Sequence, residues 1–268
     1  MQGKVIIITG ASSGIGLACA KEFAKKGGNI ILGARSIDKL SKISKEINAN
    51  GGSAIAVKTD VGNVRDCENL VNTAINKYGK IDVLINNAGI SMRALFIDVN
   101  LSVIHKLMDV NFFGTVYCTK FALPYLIKSK GSLVGITSIA GFHGLPARSG
   151  YSASKFAMHG FLETLRIENL KNGLNVLIVA PGFTASNIRK TALLANGESQ
   201  GESPREEKKM MLPEEVAISI YKGIKKRKRN IILTKEGMFT VFSQRIIPHI
   251  LDRIFYNMMA REPNSPLK

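Results

Sequence analysis

The chain is predicted to fold as an α/β protein, a doubly wound parallel sheet with helices on both faces. Three observations predict it. Short β-branched runs alternate with longer amphipathic stretches, the pattern of parallel strands joined by crossover helices. The first of these runs leads straight into a glycine-rich segment that opens a helix. The 268 residues, 45% hydrophobic and 21% charged, are enough for one buried core without disulfide or metal staples.

Taken in order, Lys4 to Thr9 is a strand, too short and too soon followed by glycines to be a signal-peptide core. Further strands are expected near 29–33, 54–58, 81–86, 132–137, 174–180 and 230–234. Apolar residues recur at i, i+3 and i+4 near 14–26, 37–49, 64–78, 101–129 and 150–171, which predicts helices there. That alternation is Rossmann-like. Thr191 to Lys209, with Gly197, Gly201 and Pro204 and few apolar residues after Leu194, breaks the rhythm and reads as a mobile loop. Pro213-Glu214-Glu215 then places proline and acids in the first turn of a helix that ends in the basic run Lys225 to Arg229. Residues 237–260 are amphipathic, with Arg245, His249, Asp252, Arg253 and Asn257 on one side. Across the wheel lie Phe239, Val241, Ile247, Ile250, Leu251, Ile254, Phe255 and Met258, and Pro248 should split the helix.

Charge is the unusual part of the composition. Lys and Arg number 37 against 20 Asp and Glu, a formal +17, and residues 205–268 alone hold 14 basic and 7 acidic residues. Such an excess points to an anionic partner: nucleic acid, a membrane surface or a ligand. No nucleic-acid-binding motif accompanies it, so nucleic acid is the weakest of the three. No run of about 18 uncharged apolar residues occurs, which argues against a membrane span. Cys19, Cys67 and Cys118 lack CxxC spacing and nearby histidine pairs, the pattern of reduced thiols with no metal site.

The chemistry concentrates in two places. After the first strand comes Thr9-Gly10-Ala11-Ser12-Ser13-Gly14-Ile15-Gly16. Glycines there let the backbone approach a pyrophosphate, and the helix N-terminus offers free N–H groups and a favourable dipole. Tyr151 and Lys155 stand four apart, so on a helix both project from one face. A phenol ionises near pH 10, and an ammonium beside it favours the phenolate and makes it useful in acid-base catalysis. Ser138 lies 13 residues upstream, at the end of an expected strand.

Together these residues resemble the short-chain dehydrogenase/reductase family over about residues 3–190. The resemblance rests on TGASSGIG at 9–16, Asp60-Val61, Asn86-Asn87-Ala88-Gly89, Asn111, the run 136–141, Tyr151 to Lys155, and Pro181-Gly182. It implies an enzyme in which Tyr151 protonates a carbonyl oxygen that Ser138 also hydrogen-bonds. Lys155 would hold the nicotinamide ribose and tune Tyr151, and Asn111 would anchor a relay water. The implied cofactor site comprises Gly10, Ser12, Ser13, Gly14, Ile15 and Gly16, with Asp60 and Val61 at the adenine and Asn87, Ala88 and Gly89 along the ribose. Pro181, Gly182 and Thr184 would face the nicotinamide, Thr184 standing where the family commonly has an aliphatic residue. After the second strand, Arg35 and Ser36 suit a 2′-phosphate, which predicts NADP(H). Asp38 falls three residues further on, as an early-helix acid, and Ser13, where many NADP-preferring relatives carry a basic residue, leaves NAD(H) as a second cofactor.

The expected organisation is therefore a dinucleotide-binding catalytic domain over 1–236, with a mobile substrate loop at about 183–211, and an amphipathic C-terminal extension over 237–268. Ile139, Phe142, His143, Leu145, Phe183 and Ile188 are candidate pocket residues. Their apolar character favours a hydrophobic ketone or alcohol, lipid-, steroid- or acyl-like, over a sugar. His143 has no visible partner and reads as a surface loop residue. The resemblance implies a homodimer or homotetramer in the cytoplasm. The extension packs on its own core or a partner subunit, or meets a membrane peripherally. A nucleotide-sensing regulator with a basic partner-binding surface is the alternative function.

Overall fold

The computed structural model describes residues 1–268, with only the side chain of Lys209 outside the description. Seven parallel strands form one sheet: β1 (Val5–Thr9), β2 (Asn29–Ala34), β3 (Ser53–Lys58), β4 (Val83–Asn86), β5 (Ser132–Ile136), β6 (Asn175–Ala180) and β7 (Asn230–Ile232). Their order across the sheet is β3-β2-β1-β4-β5-β6-β7, so the direction of winding reverses between β1 and β4. That switch point is where an open parallel sheet leaves a crevice at the carboxyl ends of its strands.

Both faces are covered, which explains why the strands are continuous apolar runs without alternation. Ile6 and Ile8 point to one core with α1 (Gly14–Lys25), α2 (Ile37–Ala49) and α7 (Pro213–Lys225). Val5 and Ile7 point to the other, with α3 (Val64–Tyr78), α5 (Gly114–Lys128) and α6 (Ser149–Glu168). The strand expected at 81–86 starts at Val83 because Asp82 is occupied otherwise. Its carboxylate accepts from the Val5 N–H at 2.9 Å and Lys4 Nζ at 2.8 Å. Burial alone would raise that carboxyl; the bonds from Lys4, Val5 and Lys80 together hold it below its ordinary value.

The helix expected over 101–129 is not continuous. It consists of α4 (Leu101–Leu107), a π-helical turn (Met108–Phe113) and α5. The Asn111 side chain bonds the chain at Ile90 at this turn, and a widened turn lets it do so without breaking the axis.

The amphipathic extension divides at Pro248, as expected, into α8 (Lys235–Ser243) and α9 (Pro248–Ala260). The wheel overstated the buried side. Leu251 and Met259 are buried, whereas Phe239, Ile250 and Ile254 are about half exposed. The two helices touch the body through a few residues, among them Gly237 close against Ile139, and leave much of their apolar side exposed.

Candidate active site

The carboxyl ends of β1 and β4 meet in a glycine cradle. Gly10 (φ 65°) and Gly14 (φ 52°) adopt left-handed backbone that side chains resist. A Cβ on Gly10 would lie 2.9 Å from Ala88 Cα, and one on Gly16 would run into the Gly10 carbonyl. Asn87 ties the cradle together: its Nδ2 donates to the Thr9 carbonyl at 2.9 Å and the Gly10 carbonyl at 3.3 Å. The Asn87 and Ala88 N–H groups both donate to Thr9 Oγ1 at 3.0 Å. Ser13 is the N-cap of α1 and its side chain makes no capping bond, so the first-turn N–H groups are not capped by it. This close-approach backbone beside an uncapped helix start fits a pyrophosphate.

Arg35 and Ser36 follow β2 directly and are exposed, while Asp38 lies in the first turn of α2. Asp60 Oδ1 accepts from the Gly62 N–H at 3.0 Å. Val61 is buried, and its side chain sits 2.8 Å from where a Cβ on Gly114 would be. Pro181 and Gly182 follow β6, with Gly182 packed on Thr234. The Thr184 hydroxyl is buried and donates to the Gly182 carbonyl at 3.2 Å, so it is used within its own turn.

Ser138, Tyr151, Lys155 and Asn111 converge below this crevice. Lys155 Nζ stands 5.8 Å from the Tyr151 ring and donates to the Ile136 carbonyl at 2.9 Å. Burial pulls its ammonium down to about 8. Burial also raises the Tyr151 phenol, opposed by its hydrogen bond with Ser138 and by the charges of Arg148 and Arg189. Arg148 and Arg189 are thus two further cations facing the phenol, beside Lys155 near its ring. Arg148 was findable, since it precedes Tyr151 by three residues; Arg189 lies 38 residues away and left no signal. Asn111 Oδ1 accepts from the Ile90 N–H at 2.8 Å, and its Nδ2 donates to the Ile90 carbonyl at 3.0 Å and to Ser154 Oγ at 2.8 Å. Gly89 fits between Asn111 and Lys155, with 3.2 Å and 3.5 Å from a notional Cβ to their polar atoms.

The 183–211 segment is tied at several points. Thr184 pairs with Met211, and Leu193 with Met92 and Ser199. Arg189 donates to both Glu207 oxygens, at 2.8 and 2.6 Å. Those bonds, with Ser203 and the Ser186 N–H, outweigh the effect of burial and hold the Glu207 carboxyl low. Phe183 is exposed beneath the Arg205 guanidinium, 3.9 Å from the ring centre.

His143 corrects the sequence reading. It is 3% exposed, packed at a tilt 4.7 Å from the Phe255 ring, bonded to Gln244 and 3.8 Å from Asp252. All three partners belong to the C-terminal extension, about a hundred residues on, which is why no partner was visible locally. His143, Leu145 and Pro146 also line a groove of about 460 Å³ with Ser149, Phe255 and Tyr256. Among the described residues, no group of His, Cys, Asp and Glu is arranged to hold a metal, and no helix is long and apolar enough to cross a membrane.

A family model described as short chain dehydrogenase matches residues 4–196. The chain is 43% identical over 190 residues to "11-beta-hydroxysteroid dehydrogenase-like 2" of Arabidopsis thaliana, which takes in 70% of this chain and 61% of that protein. It thus spans about three fifths of the length of that relative. It is 33% identical over 278 residues to "Dehydrogenase/reductase SDR family member 7B" of Xenopus tropicalis, covering 100% of this chain and 88% of that one. Among solved structures, it resembles an alcohol dehydrogenase of Thermococcus sibiricus complexed with 5-hydroxy-NADP. There the TM-score is 0.78 and the identity 27%, with 87% of this chain and 96% of that one covered.

Proposed function

The chain belongs to the short-chain dehydrogenase/reductase family, and from that premise we propose that it is an NADP(H)-dependent oxidoreductase acting on the carbonyl or secondary alcohol of a hydrophobic substrate. The observation that carries this reading is the convergence of Ser138, Tyr151 and Lys155 beside the Gly10–Gly16 cradle.

A bound nicotinamide dinucleotide supplies or accepts the hydride. Tyr151 holds the proton given to the carbonyl oxygen in reduction and takes it back in oxidation. Its phenol is raised by burial, which keeps it protonated at neutral pH, while Ser138, Arg148 and Arg189 oppose the rise and ease release of the proton. Ser138 donates to the same substrate oxygen and stabilises charge as it develops. Lys155, fixed by the Ile136 carbonyl, holds the ribose hydroxyls, and Asn111 anchors a relay water while bracing Ile90. Gly10, Ser12, Ser13, Gly14, Ile15 and Gly16 receive the pyrophosphate. Asp60, Val61, Asn87, Ala88 and Gly89 line the adenosine, and Pro181, Gly182 and Thr184 bound the nicotinamide.

NADP(H) over NAD(H) is supported by the exposed Arg35 and Ser36, and by the NADP analogue held by the Thermococcus enzyme. A steroid- or lipid-like substrate is supported by the apolar Leu145, Pro146 and Phe255 along the groove and by the relatives' names. Residues 1–236 act as the catalytic domain, and the extension 237–268 meets membranes peripherally. Supporting the latter, Phe239, Phe242, Ile246 and Ile250 are exposed, with Arg245 and Arg253 among them and Lys225 to Arg229 nearby in sequence. The active form is a homodimer or homotetramer.

The test is Tyr151→Phe, assayed for NADPH oxidation on a panel of hydrophobic ketones. Turnover is expected to fall by about 10³-fold while dinucleotide binding, read by fluorescence, persists. Retained turnover refutes the reading.

A further inference from the structure

After α9 the chain turns back and places one carboxylate among three guanidinium groups. Glu262, 6% exposed, has Oε1 2.6 Å from Arg205 Nε, and Oε2 3.4 Å from Arg93 and 4.0 Å from Arg148. Arg93 and Arg148 are themselves 7% and 9% exposed. Arg93 also donates to the Pro263 carbonyl at 2.6 Å. Among the described residues, the ion pairs of all three arginines go to Glu262.

One carboxylate does not balance three cations. Buried charge is costly unless it is paired, and here two positive charges are left over beside low-dielectric protein. The strain is visible at Arg148: burial, with Arg93 and Arg205 beside it, brings its guanidinium down to about 10 despite the opposing pull of Glu262. A latch for the C-terminal segment would need one arginine; a surplus of two is the arrangement of a receptor for a more highly charged or additional anion.

The position gives the surplus a use. Arg148 stands three residues before Tyr151 and acts on its phenol. Arg93 follows Met92, which packs in one cluster with Tyr151. Arg205 belongs to the 183–211 segment and lies over Phe183. The three arginines therefore border the substrate side of the crevice from three separate parts of the chain.

We propose that Arg93, Arg148 and Arg205 form an anion subsite for the carboxylate or phosphate end of the substrate, and that Glu262 occupies it as an internal stand-in. The proposal rests on the oxidoreductase reading above and narrows its substrate to an amphiphile: an apolar body bearing the carbonyl and an acidic end. Guanidinium forks suit such oxyanions, which accept two parallel bonds per group. A neutral ketone would leave the surplus charge unanswered.

Two measurements on the full chain decide it. In the first, NADPH oxidation is followed on a panel of long-chain oxo acids and their methyl esters. The acids are expected to exceed their esters in kcat/KM by on the order of tenfold, the effect of one or two charge-assisted bonds. Arg205→Gln and Arg93→Gln should lower kcat/KM for the acids more than for the esters, through KM. In the second, Glu262→Gln is melted in sodium phosphate and in sodium chloride at equal ionic strength, and phosphate should raise its Tm more than it raises that of the wild type. Equal use of acid and ester, a preference that survives Arg205→Gln, or no phosphate-specific gain in Glu262→Gln overturns the subsite. Should neither acid nor ester be reduced, the oxidoreductase reading fails instead, and the phosphate melts alone decide whether the anion site exists.

Discussion

At the β1–α1 turn, contacts are made by backbone and by residues close together in the fold's winding order: Gly10, Gly16 and Asn87 leave no room for an added carbon. At α8 and α9, contact with the body is made by scattered side chains, such as Gln244 and Phe255 on His143, while Phe242 and Ile246 face outward. The first region is built to a fixed shape, as its proposed pyrophosphate role requires. The second is held to the body at a few points, and its outward residues are free to change without cost to the core. A single molecule thus couples an intolerant half, the proposed cofactor side, to a permissive half, the proposed substrate side.

The largest expected effect breaks the intolerant half. Gly16→Ala forces a methyl group onto the Gly10 carbonyl and to 2.6 Å from Asn87 Nδ2. Backbone is not free to yield there, so dinucleotide affinity measured by titration should fall by about 10²-fold or more, or soluble protein be lost. Unchanged affinity would mean the cradle is softer than its packing indicates.

Next in size is the burial of Lys155. Its folded value near 8 lies below the unfolded 10.5, so between these pH values the unfolded chain binds the extra proton. Stability from this group therefore rises with pH through about 8 to 10.5, by on the order of 3 kcal/mol. Urea melts of cofactor-free wild type and Lys155→Met across that window should converge in difference by about this much. Comparing the two proteins cancels the effect of burial on the Cys19 and Cys118 thiols, which is common to both.

Arg35→Asp probes the rim of the cofactor half, where exposure replaces packing. It should cost NADPH roughly tenfold to a hundredfold in affinity and favour NADH, read from KM values for both. The smallest effect is expected in the permissive half. Phe242, 71% exposed, when changed to Ser should shift stability by less than about 0.5 kcal/mol while weakening co-sedimentation with anionic vesicles. A large loss of stability would show that α8 is held more firmly than its surface indicates.

The same contrast governs what could be read in advance. The strands were legible as short apolar runs, the inner five buried almost throughout and the edge strands β3 and β7 less so, and their ends moved by a residue or two where a side chain such as Asp82 had other work. The glycine cradle and the Tyr151–Lys155 spacing were legible because the relevant geometry repeats over a few residues. The break at Met108–Phe113 was not, since its apolar periodicity looks the same as that of a straight helix. Nor were the partners of His143, or Glu262 among Arg93, Arg148 and Arg205, because charges more than fifty residues apart leave no local pattern. The wheel for 237–260 separated polar from apolar correctly but carried no information on how wide a surface would be there to receive it.

The π-helical turn at Met108–Phe113 has a consequence for how this chain tolerates insertions and deletions. Such a turn holds one residue more than its α-helical counterpart, and each residue advances a helix by about 100°. Deleting a single residue there would restore a regular helix with α4 and α5 keeping their present faces, because the widened turn already absorbs the extra residue. Asn111 would leave Ile90, while Cys118 and Ala122 would stay in the core. A one-residue deletion, which in a regular helix replaces a whole face, is at this point absorbed by the turn and felt only at the position of Asn111.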